Sequence, residues 1–200
     1  MKRIIIASNN KGKIKEIKAI IGEQDIEILS LEDIGFTGKI TEDGHSIKEN
    51  AIKKGLCVMK TVGELTLADD SGLEVDAING QPGVFSARFS GQGATDERNN
   101  RKLLALLNNI PMEKRGAQFR CVMALIYPNG KIYTAEGICR GRISDRPIGD
   151  KGFGYDPIFI PDGYDETFAQ LGDHIKNQIS HRAIALDKMK NIMISEGLID

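Results

Sequence analysis

The chain has 200 residues, 40% of them hydrophobic and 28% charged, the proportions of an ordinary soluble globular protein and length enough for one sizeable, two-lobed domain over residues 1–200. Its formal net charge of −1 gives no global field toward nucleic acid or an anionic membrane, so neither is expected as a partner, although lysines and arginines can still cluster locally. Cys57, Cys121 and Cys139 stand far apart with no Cys-x-x-Cys pair, which argues against a zinc site or a disulfide framework and for a reducing compartment, the cytoplasm.

The opening MKRIIIASNN carries an apolar run too short for a signal peptide, and no stretch approaches transmembrane length. KRIIIAS reads as a buried strand leading through Ser8, Asn9 and Asn10 into a helix, where Ile14, Ile17, Ile20 and Ile21 recur at helical spacing before a capping Gly22. IEILSL is a second strand. Ser46 and Glu49 form a capping-box pattern that starts a helix reaching to Gly63. ELTLADD is a strand that ends at two aspartates, where Ser71-Gly72 breaks the apolar run. TDERNNRKLLALLNN has Thr95 as N-cap and acids in its first turn, so it reads as a helix. QFRCVMALIY and IYTAEGICRGRI form a hairpin about Asn129-Gly130. GYDPIFI reads as another strand, and Ser180 caps a helix running to Ile194. Alternating strands and helices interrupted by a hairpin make the fold α/β with a mixed central sheet flanked by helices.

Four stretches could carry chemistry. The strand-to-helix turn of Ser8, Asn9, Asn10, Lys11, Gly12 and Lys13 presents helix N–H groups and two lysines to a phosphate. It lacks the glycine and Ser/Thr of a Walker A loop, and alone it is accounted for by an ordinary turn with solvated lysines. Asp69-Asp70-Ser71 could supply a magnesium carboxylate, with Glu42 or its neighbour Asp43 as a second ligand. Two turn-forming aspartates explain the same residues equally well. In Gly152-Phe153-Gly154-Tyr155-Asp156, glycines beside an aromatic would let a flat ligand reach Phe153, although a core phenylalanine at a strand entry suffices. Lys176, His181 and Arg182 can donate to carbonyl oxygens or phosphate, and they also fit a helix cap with a solvated face.

Taken in order, SNNKGK, ENA, LADDSGLEVDAINGQPGVFSARFSG, GFGYDPIF and ISHRAIAL resemble the ITP/XTP pyrophosphatases, the house-cleaning family that removes non-standard purine nucleoside triphosphates. The resemblance runs from Ile4 to about Leu186. It implies two lobes with the active site in the cleft between them, and a homodimer that hydrolyses ITP, dITP and XTP to the monophosphate and pyrophosphate with Mg2+. Carried over by position, Asp70 would be the proton acceptor and a metal ligand, and Glu42 the other metal ligand, with Asp43 its rival. Ser8 through Lys13 would cradle the triphosphate, with Lys54 a further phosphate-binding lysine, and Ser71 would touch the substrate. Phe153, Gly154, Tyr155 and Asp156, together with Lys176, His181 and Arg182, would line the base pocket. Asp69 would then fix the loop. The chain departs from the family pattern at Gln170, where the family often carries an acid, in what is expected to be a loop before Lys176. Two rival functions are a related pyrophosphatase for other modified nucleotides and a non-enzymatic nucleotide- or RNA-binding module. For the latter the 6% aromatic content without tryptophan is a poor match.

Overall fold

The computed structural model describes residues 2–22 and 26–199. In chain order the elements are β1 (Lys2–Ile6), α1 (Lys11–Ile21), β2 (Ile26–Ser30), α2 (Ile47–Val62), β3 (Thr66–Val75), β4 (Gln81–Pro82), α3 (Asp96–Leu106), β5 (Gly116–Ile126), β6 (Ile132–Ile143), β7 (Phe159–Pro161), α4 (Phe168–Ile179) and α5 (His181–Ser195). The strands are ordered β2-β1-β3-β5-β6-β7, with β4 on β3. β1 runs parallel to β2 and β3, while β3/β4 and β6/β7 are antiparallel, so the sheet is mixed.

By internal contacts the chain divides into two compact units, one of residues up to Asp70, Cys121–Gly137 and from Arg182 on, the other of Ser71–Arg120 and Ile138–His181. In the first unit, side chains of β1 alternate between two cores. Ile4 and Ile6 join Ile17 and Ile21 of α1 and Ala185, Leu186 and Met189 of α5. Ile5 and Ala7 instead join Leu31 and Val58 of α2. A strand covered on both faces must read as an unbroken apolar run, and RIIIA does. β3 repeats the alternation, with Leu67 in the first core and Ala68 in the second. The second unit packs Leu73, Val75, Leu103, Leu107, Phe119, Tyr155, Phe159 and Phe168 into one cluster, in which the rings of Phe119 and Phe159 lie 4.7 Å apart.

Local signals account for most boundaries. Asn10 and Ser46 accept bonds from Lys13 N and Glu49 N at the starts of α1 and α2, and Thr95 does the same for Arg98 N at α3. At α2 the reciprocal half of the box is shifted by one position, because Glu49 accepts from His45 N at 2.9 Å. Gly63 ends α2 in the left-handed conformation with φ 73°, a position glycine fills without steric cost. The hairpin turn closes through Gly130 N to Tyr127 O at 2.9 Å. The three cysteines are unpaired, and burial pushes the Cys121 and Cys139 thiols up to about 12.

Three expectations are corrected. β3 does not stop at the aspartates but continues through Ser71-Gly72 to Val75, so Asp69 and Asp70 sit inside a strand. Backbone pairing with neighbouring strands holds the extended form where sequence polarity suggests a turn. GYDPIFI is strand only over Phe159–Pro161, since Asp156–Ile158 forms a 3-10 turn with Pro157 at its start. The stretch before Lys176 is helix α4 rather than a loop. Thr167 and Gln170 form a complete capping box at its start, and Gly172, at φ 77°, breaks it into two segments. Gln170 therefore does by its amide oxygen the capping that an acid does by its carboxylate. Ser180, read as the cap of the last helix, stands extended directly before His181, the first residue of α5, which is the place and conformation of an N-cap.

Candidate active site

The candidate residues fall into one group in each unit. In the first unit the chain leaves β1 and turns into α1. Ser8 is buried and its hydroxyl accepts from Asn10 N at 3.2 Å, while Asn10 Oδ1 accepts from Lys13 N at 3.1 Å. These two side chains build the turn, leaving Asn9 and Lys11 exposed beside the helix start. Lys13 reaches back to Asp69, with Nζ 3.1 Å from Oδ2.

Because successive strand residues point to opposite faces, Asp69 follows Leu67 toward α1 and α5, while Asp70 follows Ala68 toward α2. The environments differ accordingly. Asp69 is fully buried, and its Oδ2 also accepts from Nε and Nη2 of Arg182, both at 3.2 Å. The same guanidinium holds Glu16 of α1 through Nη1. Burial alone would raise the Asp69 carboxyl, yet Lys13, Arg182 and Lys54 more than offset it and hold the group well below its usual range. Asp70 lacks that compensation. Burial raises it, Lys13 and Lys54 only partly oppose this, and the charges of Glu42 and Asp69 add to the rise. Asp69 thus fixes no loop: it is the anchor of two cations.

On α2 the buried Lys54 puts Nζ 2.9 Å from Oε1 of the half-buried Glu42. Burial raises Glu42, but Lys54 and Lys13 outweigh it and the net shift is downward. Asp43 instead sits in solvent, 3.3 Å from Lys53. Geometry therefore places Glu42, not Asp43, beside the charges that act on Asp69 and Asp70. Asn50, the middle of the ENA triplet, accepts from Gly44 N at 2.7 Å and so pins the backbone next to Glu42.

Among the described residues no group of three or more His, Cys, Asp or Glu side chains gathers to hold a metal ion. The donors that are present nevertheless suit a hard cation. Glu42 and Asp70 offer oxygen alone, and magnesium takes one or two protein carboxylates while keeping positions for water and phosphate. Oδ1 of Asp69 is moreover buried with no hydrogen-bond partner among the described residues, an acceptor left over in a group where carboxylates Glu16, Glu42, Asp69 and Asp70 outnumber the cations Lys13, Lys54 and Arg182.

In the second unit, Gly152 to Asp156 form a tight loop. Asp156 is buried, accepts from Phe153 N at 2.8 Å, and pairs with the buried Lys176 of α4 at 2.5 Å. The Lys176 ammonium lies 4.3 Å from the centre of the Phe153 ring, a cation–π contact in a largely desolvated place. A side chain on Gly152, at φ 78°, would put its Cβ 2.1 Å from Asp156 Oδ2, so this position requires glycine. Tyr155 is a core residue whose hydroxyl donates to Ser86 O at 2.8 Å. His181 is buried and stacks on Phe119 with centroids 4.6 Å apart and planes at 11°. Ser71 is half-buried.

The structure thus brings Ser8 to Lys13, Glu42, Asp70 and Arg182 into one unit, and Ser71, Phe153 to Asp156, Lys176 and His181 into the other. Arg182, expected at the base edge, has its guanidinium on Asp69 and Glu16. Glu16 was not foreseen. Its only sequence signal is its place three residues after Lys13 on α1, on the helix face that Lys13 shares.

Both groups lie inside the span of a family match. The Ham1 family model matches residues 4–192. A dITP/XTP pyrophosphatase of Desulforamulus reducens is 49% identical over 192 residues, covering 96% of this chain and 95% of that one. The dITP/XTP pyrophosphatase of Bacillus subtilis is 46% identical over 193 residues, covering 96% and 98%. Among solved structures, the Ham1 protein of Staphylococcus aureus superimposes with a TM-score of 0.87 at 40% identity, over 98% of this chain and all (100%) of that one. A family match over nearly the whole length, sequence relatives of one name and a solved structure of the same fold agree: the chain belongs to the Ham1 family.

Proposed function

We propose that the chain is a nucleoside triphosphate pyrophosphatase acting on deaminated purine nucleotides (dITP, ITP and XTP) and releasing the monophosphate and pyrophosphate. The observation that carries this reading is the pair of adjacent carboxylates in unlike settings on one strand, Asp69 clamped by Lys13 and Arg182 and Asp70 on the opposite face without such a clamp, with the buried Lys54 holding Glu42 nearby. Their proton affinities move apart accordingly, Asp69 down and Asp70 up. Carboxylates whose surroundings separate their proton affinities mark a division of acid–base labour.

In this reading Lys13, Lys54 and the α1 N-terminus hold the polyphosphate. Asp70 orients a water toward the α-phosphorus and accepts its proton at a carboxylate oxygen, as the bond to the bridging oxygen breaks and pyrophosphate departs. Glu42 and Asp70 would hold Mg2+, which when bound neutralises phosphate charge and stabilises the leaving group. Asp69, clamped by Arg182, keeps Lys13 in place and stays ionised. Phe153 offers its ring as a platform for the purine, and Lys176 and His181 supply N–H donors for the 6-keto oxygen that hypoxanthine and xanthine carry. The amino group of adenine is itself a donor and would leave those donors unpaired, which a buried site penalises. Ser71 completes the proposed substrate contacts.

Among the described residues no helix is long and apolar enough to cross a membrane. We place the activity in the cytoplasm with the nucleotide pool, and in a homodimer whose solution mass would be twice the 22.0 kDa of the chain.

Asp70→Asn keeps the shape and removes the base. Turnover of ITP should fall by about 10²–10⁴, the range for a positioned general base, while ITP still binds in calorimetry. Unchanged turnover would remove Asp70 from the chemistry.

A further inference from the structure

The loop that carries Phe153 is held from a second side by residues that the reaction scheme leaves out. Thr95 caps α3, and from its first two turns Asp96 and Asn100, four residues apart and so on one face of the helix, both reach Gly154. Asp96 Oδ2 accepts from Gly154 N at 2.7 Å, and Asn100 Nδ2 donates to Gly154 O at 3.0 Å. Both polar groups of a glycine at φ 64° are thereby fixed to α3. On the other flank of Phe153, Asp156 accepts from Phe153 N.

The helix has a firm seat. Asn99 accepts from Ser90 N at 2.8 Å and donates to Ser86 O and Ala87 O. The Ser86 carbonyl also takes the Tyr155 hydroxyl, so α3 and the residue after Gly154 share one acceptor. Leu103 and Leu107 lock the far end into the core. Asn100 is 5% exposed and its Oδ1 has no hydrogen-bond partner among the described residues. A buried amide that leaves its acceptor unpaired costs stability, and among the described residues the one bond of this side chain goes to Gly154.

We propose that Asp96 and Asn100 are positioning residues for base recognition: they hold the Gly154 peptide so that the Phe153 ring stays under the Lys176 ammonium. The proposal rests on the functional reading above, in which Phe153 receives the purine. Both residues belong to the same unit as the Phe153 loop, while the charged group around Asp69 belongs to the other, so their loss should affect the base and spare the phosphates.

Pyrophosphate release from ITP is measured for the wild type, Asp96→Ala, Asp96→Asn and Asn100→Ala, with inorganic tripolyphosphate as a competitive probe that has no base. Asp96→Ala and Asn100→Ala should raise KM for ITP about tenfold with kcat within about twofold, a loss of binding to the base alone. Their inhibition by tripolyphosphate should stay at the wild-type level. Asp96→Asn retains an oxygen to accept from Gly154 N and should behave as wild type, whereas a residue serving only the helix dipole would lose as much with Asn as with Ala. Asp96 is exposed, so its variants fold even where Asn100→Ala loosens the core. Equal loss in both Asp96 variants, a fall in kcat at unchanged KM, weakened tripolyphosphate inhibition, or wild-type kinetics throughout would overturn this inference alone. A wild type that releases no pyrophosphate from ITP would overturn the functional reading and the inference with it.

Discussion

The charged group around Asp69 is tied by side chains from residues far apart in sequence, whereas the loop around Phe153 is tied mainly through its own backbone. Arg182 meets Asp69 across 113 positions and Glu16 across 166. The Phe153 loop takes its main bonds at Phe153 N, Gly154 N and Gly154 O. The difference teaches where each group is vulnerable. Deleting one member of a buried charge chain strands its partner in a low-dielectric place, so the effect falls on folding. Moving a peptide in a held loop shifts a ring, so the effect falls on binding.

The largest break should come from Arg182→Ala. It leaves Asp69 and Glu16 without their guanidinium, and loss of a buried partner costs about 3–5 kcal/mol. The unfolding midpoint in urea reads this, and a wild-type midpoint would show that the ion pairs contribute nothing. Arg182 thereby enters as an anchor of stability before any effect on the choice between ITP and ATP.

Phe153→Ala should come next. Base–aromatic stacking contributes about 1–3 kcal/mol per base, so KM for ITP should rise about tenfold or more with inhibition by tripolyphosphate unaffected. An unchanged KM would take the ring out of recognition.

A smaller effect, and one that sharpens the comparison, is the pH dependence of stability. The Asp69 carboxyl sits below its ordinary value of 3.8 in the folded protein. Its contribution is therefore fully present above that ordinary value and is lost as pH falls toward the folded one. From about pH 5 downward the wild type should lose stability more steeply than Asp69→Asn, measured as urea midpoints. Parallel slopes would mean that Asp69 is not held ionised by its cations. Asp43→Asn should change nothing measurable, since an exposed pair such as Asp43–Lys53 contributes about 0–1 kcal/mol. A large loss of turnover in that variant would reopen its rivalry with Glu42.

The strand-to-helix unit from Lys2 to Gly22 was legible in the sequence, because an apolar run, an asparagine cap and isoleucines at helical spacing all point one way. So were α2 and α3, whose caps are local. The passage of β3 through Asp69, Asp70 and Ser71 was not, since the charges that make a buried aspartate tolerable come from α1 and α5. α4 was missed although Thr167 and Gln170 spell its capping box, because Gly172 interrupts the periodicity that would have confirmed it. The individual site residues were visible as types. Their division, with Arg182 on Asp69 and Lys176 on Asp156, depends on pairings that spacing does not encode.

The most direct test of the central claim is pyrophosphate release from ITP, dITP, XTP, GTP, ATP and TTP, each with magnesium and with a chelator. The account predicts magnesium-dependent release concentrated on ITP, dITP and XTP. Equal release from all six would retain the chemistry of Asp70 and contradict the account of base recognition, and no release from any would contradict both.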